Sequence, residues 1–203
     1  MRKFLILAAM LVLACFGFGV AAKADTIGSL TLTDCGGGVS GCPGATYSFD
    51  IGTTSATLKI TVNGAVGSTN DYITAVDLGF TSDANAPTGL TVTGPTTGWS
   101  ASAGPVSSGG SCGGVSGAFV CASAPSLTSL PISAGNTYMW TWNYDAIDPS
   151  LISSDVHVGA EYGPNSGNWK GLIVSQTVAT PEPATITLLG LGLAGAGLLR
   201  RRK

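Results

Sequence analysis

Ser55 to Val62 alternates without a break. Ala56, Leu58, Ile60 and Val62 fall on one side, and Ser55, Thr57, Lys59 and Thr61 on the other. A period of two is that of a strand with one buried face. The same reading, with Gly, Pro, Asn, Asp and Ser in the gaps, predicts strands at Thr26–Thr33, Thr46–Gly52, Tyr72–Phe80, Leu90–Thr93, Phe119–Ala122, Thr137–Tyr144, Asp155–Tyr162 and Leu172–Gln176. No long run of helical period interrupts them. Asp148-Pro149-Ser150-Leu151 can start a single helical turn, with Asp148 as cap and Pro149 in first position. Short strands without helices between them predict an all-β fold, an antiparallel β-sandwich of jelly-roll-like form. The stretch from Gly94 to Gly117 is poor in core residues and reads as long surface loops.

Three groups within this pattern can carry chemistry. Tyr138, Trp140, Trp142 and Tyr144 share one strand face, about 7 Å apart, a pitch at which exposed rings could stack on sugars. The opposite face, Thr137, Met139, Thr141 and Asn143, would make a poor core. The aromatic face is therefore expected to point inward. In Asp155–Tyr162, the residues Asp155, His157, Gly159 and Glu161 share a face. A histidine between carboxylates can be a base or a metal ligand, but in an acidic domain a solvated strand face is the expectation. Asp145 and Asp148 can offer oxygen ligands to calcium, yet their spacing is not that of an EF-hand loop, and a capped turn is expected.

The two ends differ from this body. Residues 1–24 begin with Arg2 and Lys3, continue through an apolar stretch and end in Ala22-Lys23-Ala24. That is the anatomy of a secretory signal peptide, a signal helix cleaved between Ala24 and Asp25. Val12-Leu13-Ala14-Cys15 also resembles a lipobox, which would place a lipid on Cys15 instead. At the other end, Ala184 to Leu199 holds sixteen uncharged residues, followed by Arg200, Arg201, Arg202 and Lys203. As a helix it would span about 24 Å, short of the roughly 30 Å hydrocarbon core but able to insert with its arginines snorkelling. A single C-terminal transmembrane helix is expected over 184–199. The basic tail would remain on the cytoplasmic side and stop translocation.

Charge and cysteine usage fit export. The chain has 203 residues, enough for one domain with a real core. Of the body's cations only Lys59 and Lys170 lie between the two ends, whereas all eleven acidic residues fall from Asp25 to Glu182. An acidic body repels phosphate backbones, so no nucleic-acid partner is expected. Besides Cys15 there are four cysteines, Cys35, Cys42, Cys112 and Cys121, an even count that suggests disulfides in an exported chain. Three pairings are open. The echo between Cys35-Gly-Gly-Gly and Cys112-Gly-Gly favours Cys35–Cys42 and Cys112–Cys121. Their spacings do not suit zinc, and neither glycine-rich loop runs on into a phosphate-binding Gly-Lys-Ser/Thr. One histidine, no Gly-x-Ser-x-Gly elbow and two body lysines give no convergent catalytic set. Carboxylate pairs for glycoside hydrolysis exist, but nothing selects one. No enzyme activity, cofactor or metal is expected.

Pro181-Glu182-Pro183-Ala184, a Leu/Gly-rich apolar run and an Arg-rich end, in that order, resemble the PEP-CTERM sorting signal of Gram-negative bacteria. The resemblance covers about 23 residues. It implies export by the secretion machinery, transient anchoring in the inner membrane, and cutting near Pro181-Glu182-Pro183 by an exosortase. It also implies release to the cell surface or medium, often in bacteria that make exopolysaccharide. The expected organisation is a signal peptide (1–24), an extracellular β-sandwich (25–178) and a sorting signal (179–203: motif 181–183, helix 184–199, basic tail 200–203). The body is expected to be a structural or interaction protein of the surface or matrix, associated with exopolysaccharide or biofilm. A carbohydrate-binding module is the alternative, and a glycoside-active enzyme the third reading.

Overall fold

The computed structural model describes residues 26–32, 44–64, 72–81, 87–107, 109–113, 119–126, 129–163 and 172–179. Their strands are β1 (Thr26–Leu32), β2 (Ala45–Ile51), β3 (Ser55–Val62), β4 (Tyr72–Thr81), β5 (Thr91–Thr93), β6 (Ser100–Ala103), β7 (Val106–Ser107), β8 (Ser111–Cys112), β9 (Phe119–Ser123), β10 (Thr137–Asn143), β11 (Ile152–Gly163) and β12 (Leu172–Ala179). They form two five-stranded antiparallel sheets, ordered β1-β2-β3-β10-β5 and β12-β11-β4-β9-β6, with β7 and β8 as a separate hairpin. The all-β sandwich read from the sequence is the fold. The signal helix and the C-terminal helix fall outside the described residues, as do Ala24, Asp25, Cys35 and Cys42. Among the described residues no helix is long and apolar enough to cross a membrane.

The core lies between the two sheets. β3 follows its alternation: Ala56, Leu58, Ile60 and Val62 are buried, and Lys59 is exposed. β10 sits between β3 and β5 and turns Tyr138, Trp140, Trp142 and Tyr144 inward, with both tryptophans fully buried. The glycan-stacking alternative for these four residues is therefore corrected: the rings have no free face to offer a sugar. Trp99 meets Trp140 edge-on at 5.2 Å, and Phe80 stacks on Tyr144 at 5.7 Å. The indole N–H groups of Trp140 and Trp142 have no partner among the described residues, so packing holds these rings. A polar contact also crosses the sandwich, the buried 2.6 Å hydrogen bond between the Tyr47 and Tyr162 hydroxyls.

The outer faces of the sheets differ. That of the first sheet is lined by hydroxyls paired across strands: Thr31 with Thr46 (3.1 Å), Thr61 with Thr137 (2.8 Å) and Thr57 with Thr141 (3.3 Å). That of the second is covered. β4 is buried at every position from Ile73 to Thr81, on both parities. Its cover comes from the stretch read as surface loops, and this is a correction. Ser100–Ala103 is a strand paired with β9, Trp99 is core, and β7–β8 folds back against β4, β9 and β11. The small residues of Ser100 to Ala103 give weak apolar alternation, although the backbone ladder with β9 needs none.

Trp140→Ala should cost about 3–5 kcal/mol, because it empties a fully buried site between two sheets. Urea unfolding of the variant measures this, and an unchanged midpoint would contradict the burial.

Candidate functional site

Beneath the β7–β8 hairpin the register of β4, β11 and β9 brings three titratable groups onto one face. Val76 and Leu78 point into the core, so Asp77 between them points outward. Asp77 lies opposite Gly159 on β11 and Cys121 on β9, and Glu161 lies opposite Ala75. His157, paired with Gly79, completes the group. Two glycines make the room. A Cβ at Gly159 would overlap the Asp77 carboxylate, and one at Gly79 would overlap the Phe119 ring. That ring stands edge-on to His157 at 5.1 Å.

Both carboxylates are sealed in. Asp77 is 1% exposed and Glu161 0%. The Val106 N–H donates to Asp77 Oδ2, and the Gly109 and Gly110 N–H groups donate to Glu161 Oε1 and Oε2 at 2.9 and 2.6 Å. Gly109 and Gly110 both have positive φ, 105° and 71°, a conformation that glycine adopts readily, and their successive N–H groups meet the one carboxylate. Burial pushes Asp77 up to about 7, against the opposing pull of the Val106 and Gly159 backbone groups. Burial likewise pushes Glu161 up to about 7, against Gly109 and Gly110. Burial lowers His157. The expectation of a solvated face for Asp155, His157, Gly159 and Glu161 is thus corrected: Asp155 is exposed, but Gly159 and Glu161 are buried by the hairpin.

The group does not assemble a catalytic relay. Ser175 Oγ lies 3.2 Å from His157 Nε2, and Asp77 Oδ1 lies 3.8 Å from the same nitrogen. A serine–histidine–aspartate relay needs the two partners on opposite ring nitrogens, and 3.8 Å is too long for a hydrogen bond. Asp77 Oδ1 has no hydrogen-bond partner among the described residues. Those residues also contain no set of three or more His, Cys, Asp or Glu arranged to hold a metal.

Cys112 and Cys121 are joined in a disulfide, with Cα atoms 5.8 Å apart, that pins β8 to β9 beside the carboxylates. Asp148 caps the turn Pro149–Leu151 by accepting from the Ser150 N–H at 2.9 Å, and Asp145 accepts from Thr88 Oγ1 at 2.8 Å. Asp148 therefore serves a local turn, and Asp145 ties the end of β10 to the segment at Thr88, which precedes β5. Pro181, Glu182 and Pro183, and Arg200 to Lys203, lie outside the described residues. Sequence reasoning did not single out Asp77. The available signal was glycine in strand interiors, Gly79 and Gly159, which marks close approach of another group.

A family model described as the PEP-CTERM protein-sorting motif matches residues 179–203. That segment carries the motif, which implies a protein exported and sorted by an exosortase to the cell envelope or surface. No curated protein matches the chain. Among solved structures, the chain is similar to an uncharacterized protein from Nocardia farcinica with an immunoglobulin-like fold (13% identity, 72% of this chain and 81% of that one, TM-score 0.32). It is also similar to a cohesin module from a Clostridium perfringens family 33 glycoside hydrolase (12%, 78% and 97%, TM-score 0.31). A third is the collagen-binding domain from a Staphylococcus aureus adhesin (10%, 63% and 89%, TM-score 0.23).

Gly159→Ala should destabilise the protein by about 1–3 kcal/mol by driving Asp77 off its seat. A thermal midpoint equal to that of the parent would refute the close approach.

Proposed function

We propose that the sandwich is a non-catalytic interaction module of the cell surface or extracellular matrix, retained there with exopolysaccharide. In this reading residues 1–24 are the cleaved signal peptide. Residues 184–199 anchor the chain transiently in the inner membrane of a Gram-negative cell, with Arg200 to Lys203 on the cytoplasmic side. An exosortase cuts near Pro181-Glu182-Pro183. The observation that carries the reading is the junction itself: among the described residues the final strand runs to Ala179, and the match to the sorting motif starts at residue 179, which supports a folded body followed by its sorting tail.

Two features support the interaction role. Asp77, His157 and Ser175 form no relay, and the carboxylates are occupied in holding the hairpin. The outer face of the first sheet offers ordered threonine hydroxyls, each both donor and acceptor, which suit a polyhydroxylated polymer. Tyr138, Trp140, Trp142 and Tyr144 lend no support to a stacking platform, since they are core.

Intact-mass analysis of material from the cell surface and medium is the test. The expected species lacks Arg200 to Lys203, and it shifts from the cell surface to the medium in a strain without exopolysaccharide. Mature protein with its full C-terminus would refute the processing. Unchanged distribution in that strain would refute the association with polysaccharide.

A further inference from the structure

The hairpin over β4 is fastened by two carboxylates and one disulfide. Val106 is held by Asp77, the Gly109–Gly110 tip by Glu161, and Cys112 by Cys121. Among the described residues the other titratable groups on this face are both from β11: His157 beside Asp77, and Asp155 at the exposed end, an acid that adds no cation. The facing positions of β9 (Phe119 and the bonded Cys121), of β12 (Ser175 and Thr177) and of the hairpin (Val106, Ser107, Ser111 and the bonded Cys112) bring no charge. Burial lowers His157, so it supplies no strong countercharge. Two carboxylates are therefore enclosed almost without a compensating cation. Enclosure of that kind favours the neutral acid over the ionised form.

We propose that the β7–β8 hairpin is a proton-linked latch, which docks on the second sheet as Asp77 and Glu161 take up protons and loosens as the pH rises toward neutrality. The backbone donors act in the opposite sense, because they favour ionised oxygens, but burial outweighs them at both groups, which sit at about 7 when docked. Released into solvent, the carboxyls return toward their ordinary values of 3.8 and 4.5. The docked state thus binds protons more tightly than the released one. Docking is strongest below about pH 4, weakens between about pH 4 and 7, and levels off above that. The Cys112–Cys121 bond keeps Cys112 in place, so the tip at Gly109 and Gly110 can lift while the base stays attached. Opening uncovers Asp77, His157 and the Phe119 ring.

Hydrogen exchange of the full chain in detergent micelles, read by mass spectrometry on peptides spanning 104–113, tests the latch. After correction for intrinsic exchange, opening should rise at least tenfold from pH 5 to pH 7, since each carboxylate contributes up to about tenfold per pH unit. Peptides from β3 should show no such rise. Opening that is flat or that falls with pH would overturn the proposal. Glu161→Gln should reduce the slope at Gly109 and Gly110, and an unaltered slope would also overturn it. Should that variant not fold, carboxyl carbon NMR titration of the unaltered protein decides. Midpoints near 7 for Asp77 and Glu161 support the latch, and midpoints at or below 4.5 overturn it.

Discussion

Strand β4 is sealed on both faces, and much of the second sheet follows from that constraint. An antiparallel strand in a sandwich ordinarily presents one face to the core and the other to water. Here the core takes Val76, Leu78 and Phe80, while the other parity, Ala75, Asp77 and Gly79, is also closed off. A second layer must lie over it. The chain supplies that layer with a short hairpin rather than a third sheet. A two-residue-per-strand hairpin cannot bring enough apolar surface to hold itself down. It is held by hydrogen bonds from its backbone to two acids on the sheet and by a covalent bond at its base.

This arrangement explains why acids that look chemically suggestive are absorbed by structure. Asp77 and Glu161 have the raised proton affinity often found at functional sites. Their oxygens meet hairpin amides, however, and the histidine meets its two neighbours through one nitrogen. The same face that could have been a cleft is a closed joint. The opposite side of the molecule carries the threonine-lined face of the first sheet. An exported module with a disulfide-stapled joint and a hydroxyl-rich outer face is consistent with service outside the cell, where the sorting tail directs it.

The sequence made the strands legible where alternation was strong. Ser55 to Val62 has the bounds expected of it, and the inward turn of Tyr138, Trp140, Trp142 and Tyr144 followed from the poor alternative face. The cap at Asp148 was equally local and equally readable. The joint was not. Asp77 and Glu161 are covered by residues 29 and 51 to 52 positions away, and no local pattern records who covers a strand's outer face. Ser100 to Ala103 pairs through backbone alone, so its small side chains gave little signal. The glycines at 79 and 159 were the trace left in the sequence, since each vacates space that a neighbour's side chain fills. The tail was legible as a motif, because three features stand in fixed order over residues 181–203.

Non-reducing peptide mapping of the exported protein tests the covered joint most directly, because the joint requires the base of the hairpin to be bonded beside β4. The account expects a peptide pair linking Cys112 to Cys121. Cys112 found joined to Cys35 or Cys42, or found as a free thiol in the mature protein, would contradict it.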